Sequence, residues 1–260
     1  MTLKTSLLPC LYKSLMPSLC QLDSRSMILK EKGRAWCGPV AVSNTLVHLA
    51  KVYYQTLLPP QGDLSEIEAQ VALVEKLADC MNLDESGATP IDVMSGLEKY
   101  VVDRGYKIKI EFKGWRDGSV YKKVEDKPNI DWTMQGVIGT SNAILNIGWY
   151  ETNLEKSEYK RHNGHFVSEA GFLKSPKENF LIIHDPSPIS ENIPKVINFS
   201  QISNGVFPSW KDDEKNESYP DIDATNYLEV NGINIPSRIG DAQISKAVLD
   251  GAFVFDVQRK

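Results

Sequence analysis

Ala35-Trp36-Cys37-Gly38-Pro39-Val40-Ala41-Val42 sets a single cysteine in a turn immediately before an apolar run. Beyond it, Val40, Val42, Leu46, Val47, Leu49 and Ala50 crowd one broad face of a 3.6-residue period. No Gly or Pro interrupts the run between Pro39 and Tyr54. Pro39 is tolerated in a first helical turn, where its missing N–H would be an orphan donor in any case. The spacing predicts a mostly buried helix from Cys37 to about Tyr54, with the cysteine at its N-terminus. A thiol placed there has a reason to react, because free backbone N–H groups and the helix dipole favour the thiolate. The N–H of Cys37 is also placed to help hold an oxyanion. The plain alternative is a core thiol, since free cysteines are often buried.

The chain around this turn is that of a soluble globular protein. Its 260 residues, 42% hydrophobic and 24% charged, can bury a sizeable core in one large domain or two small ones. The net charge of -5 and the lack of a long basic run argue against a general nucleic-acid binder. Cys10, Cys20, Cys37 and Cys80 are too sparse for a disulfide scaffold and form no CxxC pair for zinc. Reduced thiols, and with them a cytoplasmic protein, are the plainer expectation. A Cys10–Cys20 bridge stays open if the protein is exported. The first twenty residues are leucine-rich, as a secretory signal would be. However, Pro9, Lys13 and Pro17 break the apolar run and no small-residue cleavage site follows. They are read as an N-terminal segment packed on a domain spanning 21–260. No stretch reaches 18 uninterrupted apolar residues, so no membrane span is expected.

Along the chain, helices come first and strands later. After a loop at Leu58–Gly62, a second helix is expected over Leu64–Cys80, with Ile67, Val71, Val74 and Leu77 at helical spacing. Thr89-Pro90-Ile91-Asp92 combines an N-cap, a first-turn proline and an acid three residues after the cap. It opens a third helix that ends near Asp103, before Gly105. From Tyr106 to Phe112 the pattern alternates strictly, as in a half-buried strand. Further strands are expected at Asn142–Tyr150, His165–Phe172, Phe180–His184, Lys195–Phe199, Tyr227–Val230 and Ala252–Val257. A short helix is expected over Asp241–Leu249, and an exposed loop from Trp210 to Asp223. This order predicts an α+β fold with a mainly antiparallel sheet.

A nucleophile needs a base, and the base needs an orienting group. The candidates are four histidines: His48, His162, His165 and His184. His48 lies eleven residues into the helix, roughly 16 Å from Cys37 at the usual rise, and reads as structural or surface. His162, among Lys160, Arg161 and Asn163, reads as a solvated loop residue. His165 follows Gly164 and opens an apolar strand, whose end can hold an imidazole against a facing helix. In Phe180-Leu181-Ile182-Ile183-His184-Asp185-Pro186, a strand delivers Asp185 at its exit. If the two strands pair, Asp185 can accept from the His165 ring and fix its tautomer. His184 would point to the opposite face and lies outside the site. Each feature alone has a bland reading, a packing histidine or a strand-end turn. The Cys-His-Asp order makes the three together more specific.

WCGPVAVSNTL, NGHFVSEAGF and LIIHDPSP resemble the papain-like cysteine peptidases, and within them the bacteriocin-processing (double-glycine leader) peptidases. GATPIDVMSGLEKYVVDRGY looks like the helical insert of stand-alone members. The likeness spans about Gln21 to Pro188. It implies a papain-like fold, a nucleophile at Cys37, a base at His165, an orienting acid at Asp185 and an oxyanion glutamine shortly before the cysteine. Glu31 occupies that last place, and a negative side chain would oppose an oxyanion. Gln21 can serve instead if Asp23–Trp36 is an insertion. The implied activity is hydrolysis of a peptide or isopeptide bond in a peptide or protein substrate, with no metal or organic cofactor. An acyltransferase or transglutaminase-like enzyme with the same triad, and an inactive peptide-binding module, stay open beside it.

Overall fold

Ser65 and Thr89 show how the N-terminal half commits to helix. Each caps a helix through its own hydroxyl while the acid three residues on, Glu68 or Asp92, reaches back to the cap N–H. The computed structural model, which describes residues 10–60, 62–116, 126–187, 193–212 and 217–260, contains five α-helices among those residues. They are α1 (Met27–Lys32), α2 (Cys37–Val52), α3 (Glu66–Cys80), α4 (Pro90–Asp103) and α5 (Ile130–Gln135). The three longest match the expected helices to within two residues at each end. Gln61, in the expected loop, and residues 1–9 of the N-terminal segment lie outside the described residues. Its remaining part packs on the fold: β1 (Cys10–Tyr12) joins the sheet, and Lys13, Met16 and Leu19 are buried.

The strands are β2 (Tyr106–Gly114), β3 (Ser141–Asn153), β4 (Glu158–Lys174), β5 (Asn179–His184), β6 (Lys195–Gln201), β7 (Val206–Phe207), β8 (Trp210–Asp212), β9 (Glu217–Tyr219), β10 (Ile222–Asp223), β11 (Leu228–Asn231), β12 (Arg238–Ile239), β13 (Ala242–Gln243) and β14 (Lys246–Arg259). Ten of the strands share one sheet, ordered β10-β7-β4-β3-β14-β11-β6-β5, with β1 on β4 and β2 on β14. A further pairing of β4 with β5 closes β4-β3-β14-β11-β6-β5 into a ring. All its pairings are antiparallel except β4 with β7. The fold is thus α+β, with helices against the outside of a largely antiparallel, closed sheet.

That closure creates two cores. Ala143, Leu145, Ile147, Val167, Leu181, Ile183, Ile197 and Leu249 fill the ring, and Met134 and Val137 pack with them. On the outside, Ile144, Phe166, Phe253, Phe255 and Val257 meet α2, α3 and α4. α2 is buried all round from Gly38 to Ala50, not on one face, because strand β4, its sister helices and the N-terminal segment surround it. Ser43 and Thr45 return their hydroxyls to carbonyls of the same helix. The Asn44 side-chain oxygen accepts from the Leu19 N–H at 3.1 Å and from Gln70 at 2.8 Å.

Two expectations are corrected. Asp241–Leu249 is no helix: it holds β13 and the start of β14, because Ala247, Val248 and Leu249 are buried consecutively in a strand covered on both faces. Trp210–Asp223 is not a plain loop, since β8 pairs with β9 and β10 with β7. Residues 213–216 of that stretch lie outside the described residues.

Candidate active site

Cys37 is the first residue of α2 and is half-buried. The N–H groups of Phe166 and Gly38 are directed at it. Opposite stands His165 on β4, 8% exposed, with a ring that shares one hydrogen bond with the Cys37 thiol. The other ring nitrogen, Nε2, lies 2.7 Å from Asp185 Oδ1. Asp185 is 1% exposed and follows the last residue of β5, which pairs with β4 through Ser168 and His184. The structure therefore brings Cys37, His165 and Asp185 together, with the His165 ring between the other two.

The register of β4 against α2 holds this geometry. Phe166 and Ser168 face outward to the helices, and Ser168 Oγ donates to the Ala41 carbonyl at 2.7 Å. That bond ties a residue three after His165 to one four after Cys37. Trp149, from β3, stacks on the His165 ring with centroids 5.9 Å apart and planes 23° apart. It covers a face of the imidazole that water would otherwise reach.

Electrostatics follow from these contacts. Burial on its own would raise the Cys37 thiol. The hydrogen bond and charge of His165, then the two N–H groups, outweigh it and leave the thiol below its ordinary value. Burial likewise opposes a charged His165, but its bonds to Asp185 and Cys37 carry the ring up to about 10. Burial would raise Asp185, yet it is held well below the carboxylate range, first by His165, then by Lys195 and the Ser187 N–H. A thiolate–imidazolium pair is the state these contacts favour.

Gln21 is also near. The segment Asp23–Trp36 forms α1 and a tight turn at Gly33–Ala35, and folds back so that Gly33 lies against the Gln21 carbonyl. A methyl group at Gly33 would overlap that oxygen, so only glycine fits the approach. The Gln21 side-chain amide donates to the Arg34 carbonyl at 2.6 Å, and its backbone N–H to the Pro186 carbonyl at 2.8 Å. Gln21 thus bridges the turn before Cys37 and the turn after Asp185. Glu31 is exposed on α1.

The other histidines are elsewhere. His48 is buried and held neutral, its ring lowered to about 4 by burial and by Lys13. His184 is 2% exposed, lowered to about 4 by burial, and lies against Tyr12. His162 is not a solvated loop residue. It belongs to β4, where its ring lies 3.1 Å from Glu151 of β3. Sequence reasoning missed Lys195, Trp149 and Ser168. Lys195 opens β6 and places Nζ 2.8 Å from Asp185 Oδ2; a lysine at a strand start carries no chemical signature. Among the described residues, no group of three or more His, Cys, Asp and Glu is placed to hold a metal ion, and no helix is long and apolar enough to cross a membrane. No protein-family model matches this chain, and none of the curated proteins matches it.

Proposed function

We propose that this protein is a papain-like thiol hydrolase that cleaves a peptide or isopeptide bond through an acyl-enzyme. The observation that carries the reading is one buried imidazole shared between Cys37 and Asp185. The Cys37 thiolate attacks the carbonyl carbon. The oxyanion that forms is met by the Cys37 N–H and by the Gln21 amide, which keeps a second N–H beyond the one given to Arg34. His165 passes its proton to the leaving nitrogen, and the neutral ring then draws a proton from the water that releases the acid. Asp185 keeps the ring oriented throughout.

Site-resolved alkylation of Cys37 by iodoacetamide across pH tests this, in wild type and in His165→Ala. Fast labelling that persists well below the ordinary thiol range and weakens in the variant is the expected result. Slow labelling with an ordinary thiol profile, unchanged by the substitution, would sink the reading. Once a cleaved peptide is found, His165→Ala lowers its turnover by about 10²- to 10⁴-fold.

A further inference from the structure

Asp185 is fully engaged. Oδ1 faces His165 Nε2 at 2.7 Å and accepts from the Ser187 N–H at 2.9 Å, while Oδ2 meets the Lys195 ammonium at 2.8 Å. Lys195 is the first residue of β6, pairs directly with Ile183 of β5, and its side chain is 16% exposed. Four ionisable groups therefore stand in a row from three separate elements and one strand exit: Lys195, Asp185, His165 and Cys37. Their charges alternate in sign when the thiol is ionised.

We infer that Lys195 is a positioning residue for this site: its ammonium locks the Asp185 carboxylate with Oδ1 toward His165, and its charge tempers the hold of that carboxylate on the ring. The inference rests on the thiol-hydrolase reading. A carboxylate with one free oxygen can turn about its last bond and offer His165 either oxygen. Paired on both sides, it has one orientation. A buried Asp with no cation would also bind the imidazolium more tightly than one whose charge is half shared. The charged groups that bear on the ring are Cys37 from α2 and Asp185 from the end of β5; Trp149 from β3 is uncharged. Those that bear on Asp185 are His165, Lys195 and, from the N-terminal segment, the Cys20 sulfur.

The test is the pH profile of Cys37 alkylation in wild type, Lys195→Met and Lys195→Arg, read at Cys37 by peptide mass spectrometry, with thermal melting of each protein. In wild type the profile has two steps, formation of the ion pair at low pH and loss of the His165 proton at high pH. In Lys195→Met the high-pH step moves upward by about one unit, and Lys195→Arg returns it to the wild-type position. A lysine that merely ties β5 to β6 would lower the melting temperature of Lys195→Met and leave both steps in place; that result overturns the inference. If Lys195→Met does not fold, Lys195→Gln keeps a donor without the charge and is held to the same outcome. A wild-type profile with a single ordinary thiol step, insensitive to His165→Ala, overturns the hydrolase reading and the inference with it. An unshifted Lys195→Met beside a two-step wild type overturns the inference alone.

Discussion

Several contributions, from His165 and from the Phe166 and Gly38 N–H groups, lower the Cys37 thiol against the opposing effect of burial, so each can be removed singly. Asp185→Asn keeps the shape of the site but removes the charge that holds the imidazolium. The His165 proton is then lost at lower pH, and the high-pH step of Cys37 alkylation moves down, opposite to the shift expected for Lys195→Met. A second buried acid, Glu169, behaves differently. It is fully buried on β4 between Ala143 and Ile183, which line the ring interior. The nearby Thr133 hydroxyl is committed to the Ile130 carbonyl, and neither carboxylate oxygen has a hydrogen bond of good geometry. Burial raises Glu169 from 4.5 to about 8, with Thr133 and Lys13 opposing. Its folded pKa is raised, so the stability it confers is full below about pH 4.5 and is lost as pH climbs through 8. Glu169→Gln should flatten the fall in denaturation midpoint over that window, a change that urea titrations at its two ends would reveal. Cys37, His165 and Asp185 could be singled out in the sequence by their order along the chain, although β4 starts at Glu158, so that His165 lies within its strand and does not open it as expected. Lys195 and Trp149 could not, because their roles come from which strands pair.

Helices and strands differ in how far their own residues announce them. α4 could be read from both its cap and its period, whereas α3 was read from its period alone and expected to start at Leu64, two residues before Glu66. Their contact is specific. A methyl group at Gly96 of α4 would come within 2.4 Å of the Met81 side chain and 2.8 Å of its backbone nitrogen. Gly96→Ala therefore costs about 1–3 kcal/mol in overpacking against about 1 kcal/mol returned as helix propensity, and its melting temperature falls. Ser168→Ala removes the bond from β4 to the Ala41 carbonyl and should cost about 1 kcal/mol. It should also slow Cys37 alkylation, because Cys37 and His165 are then less firmly registered. Asp241–Leu249 was misread because Ile244, Ala247 and Val248 fall at helical spacing over too short a window. A strand covered on both faces shows no alternation to contradict it.

The whole molecule depends on β14, which pairs with β2, β3 and β11. An α+β architecture with a mostly antiparallel sheet could be read from helices preceding strands. Closure into a ring could not, because it depends on long-range partners such as β14 with β3, where Leu249 pairs with Ile147, and such pairings leave no local trace. Deleting residues 246–260 should therefore yield protein with no cooperative melting transition and no fast Cys37 labelling, although Cys37, His165 and Asp185 are all retained. The position of β14 also governs when this site comes into being on the ribosome. Cys37 emerges early, while His165 and Asp185 ride on strands whose ring lacks a wall until residues 246–259 follow. On nascent chains, Cys37 labelling is therefore expected to stay slow until those residues are made, which arrested chains of increasing length would reveal.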